Sequence, residues 1–311
     1  MENPNKLAKC KVLCAGEALI DIVTDNSGTR SQYLGGAVYN LARALALQGI
    51  DVGYLNPLSS DVCGQDLRAQ LVEDGVVVFE SESVTQSTSL AIATLDVNGK
   101  AAYSFYREGV ADRATTSERL NQLSQMTTPQ LVCTGCLALS PADASIYLPW
   151  LAAQKRLGIW IAIDVNVRAE VMKDQDAYKA NIYKALQYAD IIKASDDDLA
   201  YLDISASALL AKTNASLLLL TLGSEGAQLL TRQGDGLKAQ APRGLQVVDT
   251  VGAGDCFFAG FLAQWLQNSD DLQKALDHAV KCASWSVTRQ GCQPPTRDDA
   301  ANFTTNRPPA P

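Results

Sequence analysis

Histidine is almost absent from this 311-residue chain, which contains only His278. Catalysis built on a Ser-His-Asp or Cys-His pair, or on several histidine metal ligands, is therefore disfavoured. Basic residues are also scarce, because 26 lysines and arginines stand against 34 aspartates and glutamates, for a net charge of −8. Without a basic surplus to neutralise a phosphate backbone, we expect no binding to nucleic acid.

A long hydrophobic run is missing too, since no stretch reaches the roughly 20 apolar residues of a membrane span. The first nine residues are polar and lack the apolar segment of a secretion signal. We therefore expect a cytoplasmic protein with no membrane partner. Its eight cysteines then predict buried reduced thiols. The CxxC pair Cys133 and Cys136 has no second pair for zinc, and its apolar surroundings predict a strand end.

Several phosphate-binding motifs are absent as well. The chain has no G-x-x-x-x-G-K-[ST] and no protein-kinase H-R-D or D-F-G, so the P-loop and protein-kinase classes are disfavoured. A dinucleotide fingerprint starting at Gly252 fails, because Phe257 occupies the third glycine position.

What the chain does contain is a recurring order of strand, helix and strand. Short β-rich runs at Lys11–Gly16, Val52–Leu55, Leu131–Cys133, Trp160–Asp164, Ile191–Lys193 and Leu217–Leu222 alternate with helical patterns at Ala37–Gly49, Ala144–Leu157 and Tyr178–Ala189. This order is typical of an α/β fold with a doubly wound, mostly parallel sheet flanked by helices. We expect one such domain over residues 1–311.

Two stretches break this order by alternating polar and apolar residues. They are Ala18–Tyr33 and Ser89–Arg107, the second with Asn98 and Gly99 as a hairpin turn. We expect segments 17–34 and 88–108 to form a small antiparallel β lid over the carboxyl edge of the main sheet, where it would exclude water from a reaction. The alternative is an ordinary edge meander.

The most informative segment is VVDTVGAGDCFFAGF, from Val247 to Phe261. Gly252, Ala253 and Gly254 have little or no side chain, so backbone N–H groups can turn toward an anion at the start of a helix. Asp255 follows in the first helical turn, where its charge would repel a bound phosphate unless it accepts a proton from an attacking hydroxyl. The alternative is a tight turn with an acidic first-turn residue.

DTVGAGD, together with the earlier glycine pair in LGGAVYNLARAL, resembles the signatures of the ribokinase-like, PfkB-type carbohydrate kinases. The resemblance extends over roughly Lys11 to Thr296. It implies an ATP-dependent kinase that uses Mg²⁺. In that family Asp255 would be the general base that deprotonates a sugar hydroxyl, and Gly252, Ala253 and Gly254 would form the anion hole for the transferred phosphoryl group.

The resemblance also implies a sugar site. It assigns sugar contacts to Asp21, Gly35, Gly36 and Asn40, to Tyr103 and Arg107 of the lid, and to Arg168 of the segment DVNVR. Read from the residues alone, the first four would be a turn acid and the first turn of a helix. An arginine on a strand is otherwise more often a solvated residue.

ATP contacts are implied in TLGSEG and KASDDDL, at Lys193, Ser195, Thr221, Gly223 and Gly226. The second segment is similar to K-x-[NS]-x-x-E of the family, which places Asp198 where a glutamate helps to organise magnesium. Because aspartate is one methylene shorter, we expect that contact to pass through water. Asp249 and the loop Arg289–Gly291 are predicted to border a monovalent cation such as K⁺.

The short segments GGAVYN and SFYREGVADR look most like bacterial fructokinases, so fructose is the expected substrate. Arg107 and Arg168 could instead bind the carboxylate of 2-keto-3-deoxygluconate, and ribose or a nucleoside stays open because tyrosines could frame a base. A non-enzymatic sugar- and nucleotide-binding regulator is a further alternative, although it would have no need of Asp255. A homodimer is the expected assembly.

Overall fold

The computed structural model describes residues 9–24, 28–95, 101–234 and 236–303. Their strands are β1 (Val12–Cys14), β2 (Leu19–Thr24), β3 (Arg30–Gly35), β4 (Val52–Tyr54), β5 (Val77–Val78), β6 (Ser89–Leu95), β7 (Ala101–Tyr106), β8 (Leu131–Gly135), β9 (Trp160–Asp164), β10 (Ile191–Ser195), β11 (Leu217–Thr221), β12 (Ala227–Thr231) and β13 (Gly236–Ala239). Their α-helices are α1 (Ala37–Leu47), α2 (Val62–Glu73), α3 (Ser117–Ser124), α4 (Ala144–Arg156), α5 (Gln175–Leu186), α6 (Asp196–Leu202), α7 (Ala206–Lys212), α8 (Ala253–Trp265), α9 (Leu272–Ser286) and α10 (Arg297–Ala301).

Across the described residues, the larger sheet has the strand order β13-β12-β11-β10-β9-β8-β1-β4-β5. All neighbours from β11 to β5 pair in parallel, whereas β11, β12 and β13 pair antiparallel. The carboxyl ends of the parallel strands therefore share one edge, where ligands of open α/β sheets bind.

Side chains of successive strand residues alternate between two buried layers, because the side-chain period of a strand is two. On one face, Val12 and Cys14 pack with helices α1, α2, α8 and α9. On the other face, Leu13 packs with α3, α4, α5, α6 and α7. Helices thus cover both faces, which confirms the predicted doubly wound fold.

A second sheet has the order β3-β2-β6-β7. Its outer pairs, β2 with β3 and β6 with β7, are antiparallel, which confirms the predicted small sheet. Its central pair, β2 with β6, runs parallel, because each strand leaves the main body in the same direction. The predicted turn at Asn98 and Gly99 lies outside the described residues.

Most predicted elements of the main sheet are confirmed with small changes of length. The first predicted strand, Lys11–Gly16, is shorter at Val12–Cys14, and the helix predicted at Ala37–Gly49 ends at Leu47. Cys133 lies in β8 and Cys136 immediately follows that strand, as predicted for a strand end. The helices in the described part of the chain are all too short or too polar to cross a membrane.

Candidate active site

Helix α8 begins at the segment Gly252–Gly254 and is central to the core. All of its residues from Asp255 to Trp265 are buried, and it packs between α1 and α9. Gly252 precedes the helix at a φ of +76°, and a Cβ added there would overlap the Cys292 Sγ atom. A larger residue is therefore excluded at Gly252. The first-turn N–H groups, which a helix does not itself satisfy, lie beside Asp255 at the positive end of the helix dipole.

Asp255 is 6% exposed, and its Oδ2 atom accepts a hydrogen bond of 3.0 Å from Asn40 Nδ2 of helix α1. This contact joins the two halves of the motif pair, 215 residues apart in sequence. Burial raises the pKa of Asp255, although Lys193, Asn40 and Arg168 act in the opposite direction. A raised pKa brings a carboxylate closer to the value at which a general base is most effective near neutral pH.

The predicted sugar residues Asp21, Gly35, Gly36 and Asn40 also come together. The Asp21 carboxylate lies directly over Gly35, since a Cβ added to this glycine would overlap Asp21 Oδ2. Burial raises the pKa of Asp21 to about 6, with Arg168 lowering it and Asp255 raising it. Within the described residues, the buried Asn40 Oδ1 atom has no hydrogen-bond partner. This group of acceptors can bind the hydroxyls of a polyol.

Gly36 sits at the start of α1 with a φ of +109°, and a Cβ there would lie 2.6 Å from the Glu17 carbonyl oxygen. We expect Gly36→Ala to cost about 1–3 kcal/mol of unfolding free energy through backbone strain, and to raise the sugar KM at least tenfold because Asp21 and Asn40 flank this turn. Sugar titrations and denaturant melts measure both effects.

Gly49 is the matched control, because it lies just beyond the end of the same helix with a φ of +82° and has open space around its missing Cβ. Gly49→Ala should cost about 1–2 kcal/mol through its dihedral angle alone, with an unchanged sugar KM. If the two variants had the same sugar KM, the Gly36 turn would not shape the sugar site.

Beside the segment Gly252–Gly254, Lys193 of β10 and Asp164 of β9 form a buried ion pair of 2.9 Å. The Lys193 Nζ atom lies 2.9 Å from the position of a Cβ built on Gly254, so the ammonium group faces the anion-hole segment. The carboxylates of Asp164, Asp198 and Asp255 hold the pKa of Lys193 above its usual value despite burial, which keeps the lysine charged.

Two cations, Lys193 and Arg168, face four carboxylates here, those of Asp21, Asp164, Asp198 and Asp255. Burial raises the pKa of Asp164 to about 7, opposed by Lys193 and reinforced by the charges of Asp255 and Asp198. Within the described residues, the buried Asp164 Oδ1 atom has no hydrogen-bond partner. This edge of the sheet therefore favours an additional cation.

Asp198 is placed differently from a simple metal ligand. Its Oδ1 atom accepts the Val167 N–H and its Oδ2 atom accepts the Ser195 N–H, each at 2.7 Å. Ser195 in turn caps helix α6 by accepting the Asp198 N–H. In the described part of the chain, no group of three or more His, Cys, Asp or Glu side chains could hold a metal ion. Asp198 as a water-mediated magnesium organiser stays a prediction.

The predicted ATP residues lie at the ends of adjacent parallel strands. Ser195 pairs with Thr221 in the β10–β11 register, and Thr221 is followed by the turn that holds Gly223 and Gly226. Gly226 has a φ of +98°, and a Cβ there would overlap the Ala239 carbonyl oxygen. The turn therefore follows the carboxyl end of β11, the neighbour of the strand β10 that carries Lys193.

Asp249 links the segment just before α8 to the loop Arg289–Gly291. Its Oδ1 atom accepts the Val251 N–H at 3.0 Å, and its Oδ2 atom accepts Gln290 Nε2 at 3.1 Å and the Gly291 N–H at 2.9 Å. Asp249 therefore contacts the loop Arg289–Gly291 directly. Its role at a monovalent cation stays a prediction.

The two predicted arginines differ in position. Arg168 Nη1 donates to the Asn166 side chain at 2.7 Å and to the Val167 carbonyl at 2.9 Å, and its charge acts on both Asp21 and Asp255. Arg107 is instead committed to two carboxylates outside the predicted set, Asp112 at 2.8 Å and Asp143 at 3.1 Å. Tyr103 lies in β7, and its side chain lies outside the described residues.

Sequence reasoning missed Glu17, Asp112 and Asp143. Each is a buried carboxylate near the small sheet, with an exposed fraction of 2% or less. The available signal was a carboxylate three residues after the buried strand β1 and an acid five residues after Arg107, but neither pattern shows which partners meet in space.

The chain is similar to carbohydrate kinases in sequence and in structure. The model of the pfkB family carbohydrate kinases matches residues 9–299. The chain is 32% identical over 262 residues to the fructokinase of Rhizobium leguminosarum bv. trifolii, covering 81% of this chain and 78% of that protein. It is 30% identical over 304 residues to the fructokinase of Klebsiella pneumoniae, with 93% and 97% covered. A crystal structure of fructokinase with bound ATP from Xylella fastidiosa matches with a TM-score of 0.81, at 26% identity and with 94% and 97% covered.

Proposed function

This chain belongs to the pfkB family of carbohydrate kinases and is an ATP-dependent sugar kinase, and from that premise we propose that it converts fructose to fructose 6-phosphate. The observation that carries the site assignment is the buried contact between Asp255 and Asn40. This contact supports the assignment, because it joins Asp255 of one motif to helix α1, which follows the other motif. The curated fructokinases at about 30% identity support the choice of sugar.

The reaction we propose is in-line transfer of the ATP γ-phosphoryl group to one sugar hydroxyl. Asp255 takes the hydroxyl proton, while Asn40 orients the carboxylate through its Nδ2 group. Asp21, Gly35 and Gly36 hold the other hydroxyls. The segment Gly252–Gly254, with Lys193 facing it, stabilises the negative charge on the transferred group. Such catalysis depends on positioning and charge neutralisation rather than on covalent intermediates.

The cation we propose is Mg²⁺ carried by the nucleotide. The excess of buried carboxylates at Asp164, Asp198 and Asp255 fits an added positive charge, and Asp164 Oδ1, which has no hydrogen-bond partner among the described residues, would be an oxygen available to it. Asp198 would act through water, because its oxygens already accept two amides. When bound, magnesium supplies neutralisation of phosphate charge. Asp249 would border a monovalent cation such as K⁺.

Arg107 favours a neutral sugar over a keto-sugar acid. Its Nη1 and Nη2 groups already donate to Asp143 and Asp112, and its side chain is only 11% exposed. A substrate carboxylate would have to displace one of these buried anions, which leaves an uncompensated charge. Arg168, the other candidate for that carboxylate, already offsets the charges of Asp21 and Asp255. Both arginines therefore support fructose over 2-keto-3-deoxygluconate.

The test is Mg-ATP turnover on fructose, 2-keto-3-deoxygluconate, ribose and a nucleoside at matched concentrations. We expect kcat/KM for fructose to exceed that for 2-keto-3-deoxygluconate by at least 100-fold, since an unpaired buried charge costs about 3–5 kcal/mol. Preference for another compound of this panel would change the proposed substrate and leave the kinase assignment in place. ATP binding without turnover on any sugar would contradict the proposed function.

A further inference from the structure

The chain passes between the two sheets at four places. It enters β2 after Glu17, leaves β3 at Gly36, enters β6 after Thr88 and leaves β7 at Arg107. We call these four places the hinge. Any movement of the small sheet relative to the main sheet must bend the chain here, so contacts across the hinge control the position of the small sheet.

Glu17 links the first two of these crossings, before β2 and after β3. Its Oε1 atom accepts the Ala37 N–H at 2.9 Å, at the start of α1. Beside it, the Gly16 N–H donates to Asn56 Oδ1 at 2.8 Å. Glu17 therefore links the entrance to β2 with the Gly35–Gly36 turn that follows β3.

Asp112 links the other two crossings, before β6 and after β7. Its carboxylate accepts Arg107 Nη2 at 2.8 Å and the Ser89 hydroxyl at the start of β6. Asn56 joins both halves of the hinge, because its Nδ2 atom donates to the Asp112 carbonyl at 2.8 Å. All four crossings thus belong to one buried polar network.

Within the described residues, two polar atoms of this network make no hydrogen bond, and they belong to side chains of opposite charge. Glu17 Oε2 and Arg107 Nε are both buried without a hydrogen-bond partner among the described residues. Their parent groups attract each other, and burial raises the pKa of Glu17 to about 7, with Arg107 lowering it and Asp112 raising it. Burying a half-satisfied carboxylate is costly, so a hydrogen bond between these two atoms would be favourable.

We propose that Glu17 and Arg107 form a latch, in which sugar binding moves the small sheet so that Arg107 Nε donates to Glu17 Oε2. Glu17 is then a positioning residue. It transmits the position of β7 to the Gly35–Gly36 turn through its second oxygen on the Ala37 amide. The latch rests on the proposed sugar kinase activity, and it gives Arg107 a role other than direct contact with the substrate.

Glu17→Gln tests the latch with little change of shape, because the amide oxygen can still accept the Ala37 N–H while the charge is lost. We expect the fructose KM to rise about tenfold or more, the value of a charge-assisted hydrogen bond. The ATP KM and kcat should stay within about threefold, since the latch touches neither nucleotide nor base. Glu80→Gln, which removes a carboxylate from the partly exposed Arg119 pair, is the control and should leave all three constants unchanged.

Two further measurements separate a latch from a merely structural role. In a cycle of Glu17→Gln and Arg107→Lys, the double variant should have a fructose KM no higher than that of Arg107→Lys alone. In the wild type, fructose should slow hydrogen exchange of the Ala37 amide and of β2 at least tenfold, and this protection should be lost in Glu17→Gln. The wild-type exchange result is informative even where a variant fails to fold.

An unchanged fructose KM in a folded Glu17→Gln, additive effects in the cycle, or equal fructose protection in both proteins would overturn the latch. Wild-type turnover on fructose would stand in each of these cases, so the proposed function would survive. Absence of wild-type turnover on every sugar would instead overturn the proposed function itself.

Discussion

Asp255→Asn should lower kcat for sugar phosphorylation by about 10²- to 10⁴-fold, the range of general acid–base catalysis. This loss corresponds to about 3–5 kcal/mol of activation free energy. Asparagine keeps the size of the side chain and can still meet Asn40, so the buried start of α8 should retain its packing. Stopped-flow turnover together with calorimetric titration of ATP and fructose separates chemistry from binding, and both dissociation constants should change less than about tenfold if only the base is lost.

The pH dependence provides a second readout of the same residue. Burial raises the pKa of Asp255, and the base must be ionised to accept a proton. Turnover in the wild type should therefore fall as pH decreases through this raised pKa, with a midpoint above the value of about 4 for a free aspartate. Asp270→Asn is the control at an exposed position just beyond α8. A near-normal kcat in Asp255→Asn would contradict the claim that Asp255 is the general base.

Lys193→Met should lower both stability and activity. Removing one member of a buried ion pair typically costs about 3–5 kcal/mol, because the remaining charge is left uncompensated. In this site Lys193 offsets the charges of three carboxylates, those of Asp164, Asp198 and Asp255, and the variant loses that compensation. Since the ammonium group also faces Gly254, we expect kcat to fall at least 100-fold, comparable to the loss of an oxyanion-hole donor.

A second variant separates the two effects. Lys193→Met combined with Asp164→Asn removes both charges of the 2.9 Å pair, so denaturant melts should show that much of the lost stability returns. Activity should stay low, because no cation faces the anion-hole segment. Recovery of kcat in the double variant would mean that Lys193 serves only to neutralise Asp164.

The sequence patterns predicted the main sheet well, because β-rich runs bounded by helical patterns leave few possible topologies. Local chemistry also predicted the role of Gly252 at the start of a helix, whereas Gly36 was assigned through the family resemblance. The small sheet was predicted as antiparallel, and its parallel β2–β6 pair was missed. Alternation reveals which residues share a face of a strand, but it does not reveal the direction of a neighbour that is about 70 residues away.

The ionic partners were the hardest to predict. Arg107 was assigned to the substrate, yet its observed partners Asp112 and Asp143 lie on separate segments that meet only in the folded chain. Asp198 was expected to organise magnesium through water, which stays a prediction, and no sequence pattern indicated that its carboxylate also accepts two backbone amides. In both cases at least one partner, Asp143 for Arg107 and Val167 for Asp198, lies on a segment far away in sequence, which local patterns do not reveal.

The most direct test of the account is to identify the phosphorylated product when the wild-type protein is mixed with Mg-ATP and fructose. Phosphorus NMR should show one phosphate ester of fructose, at carbon 6, for each ADP formed, and no product in the absence of sugar. ADP accompanied by inorganic phosphate, with no sugar ester, would contradict the claim that Asp255 activates a sugar hydroxyl for attack on ATP.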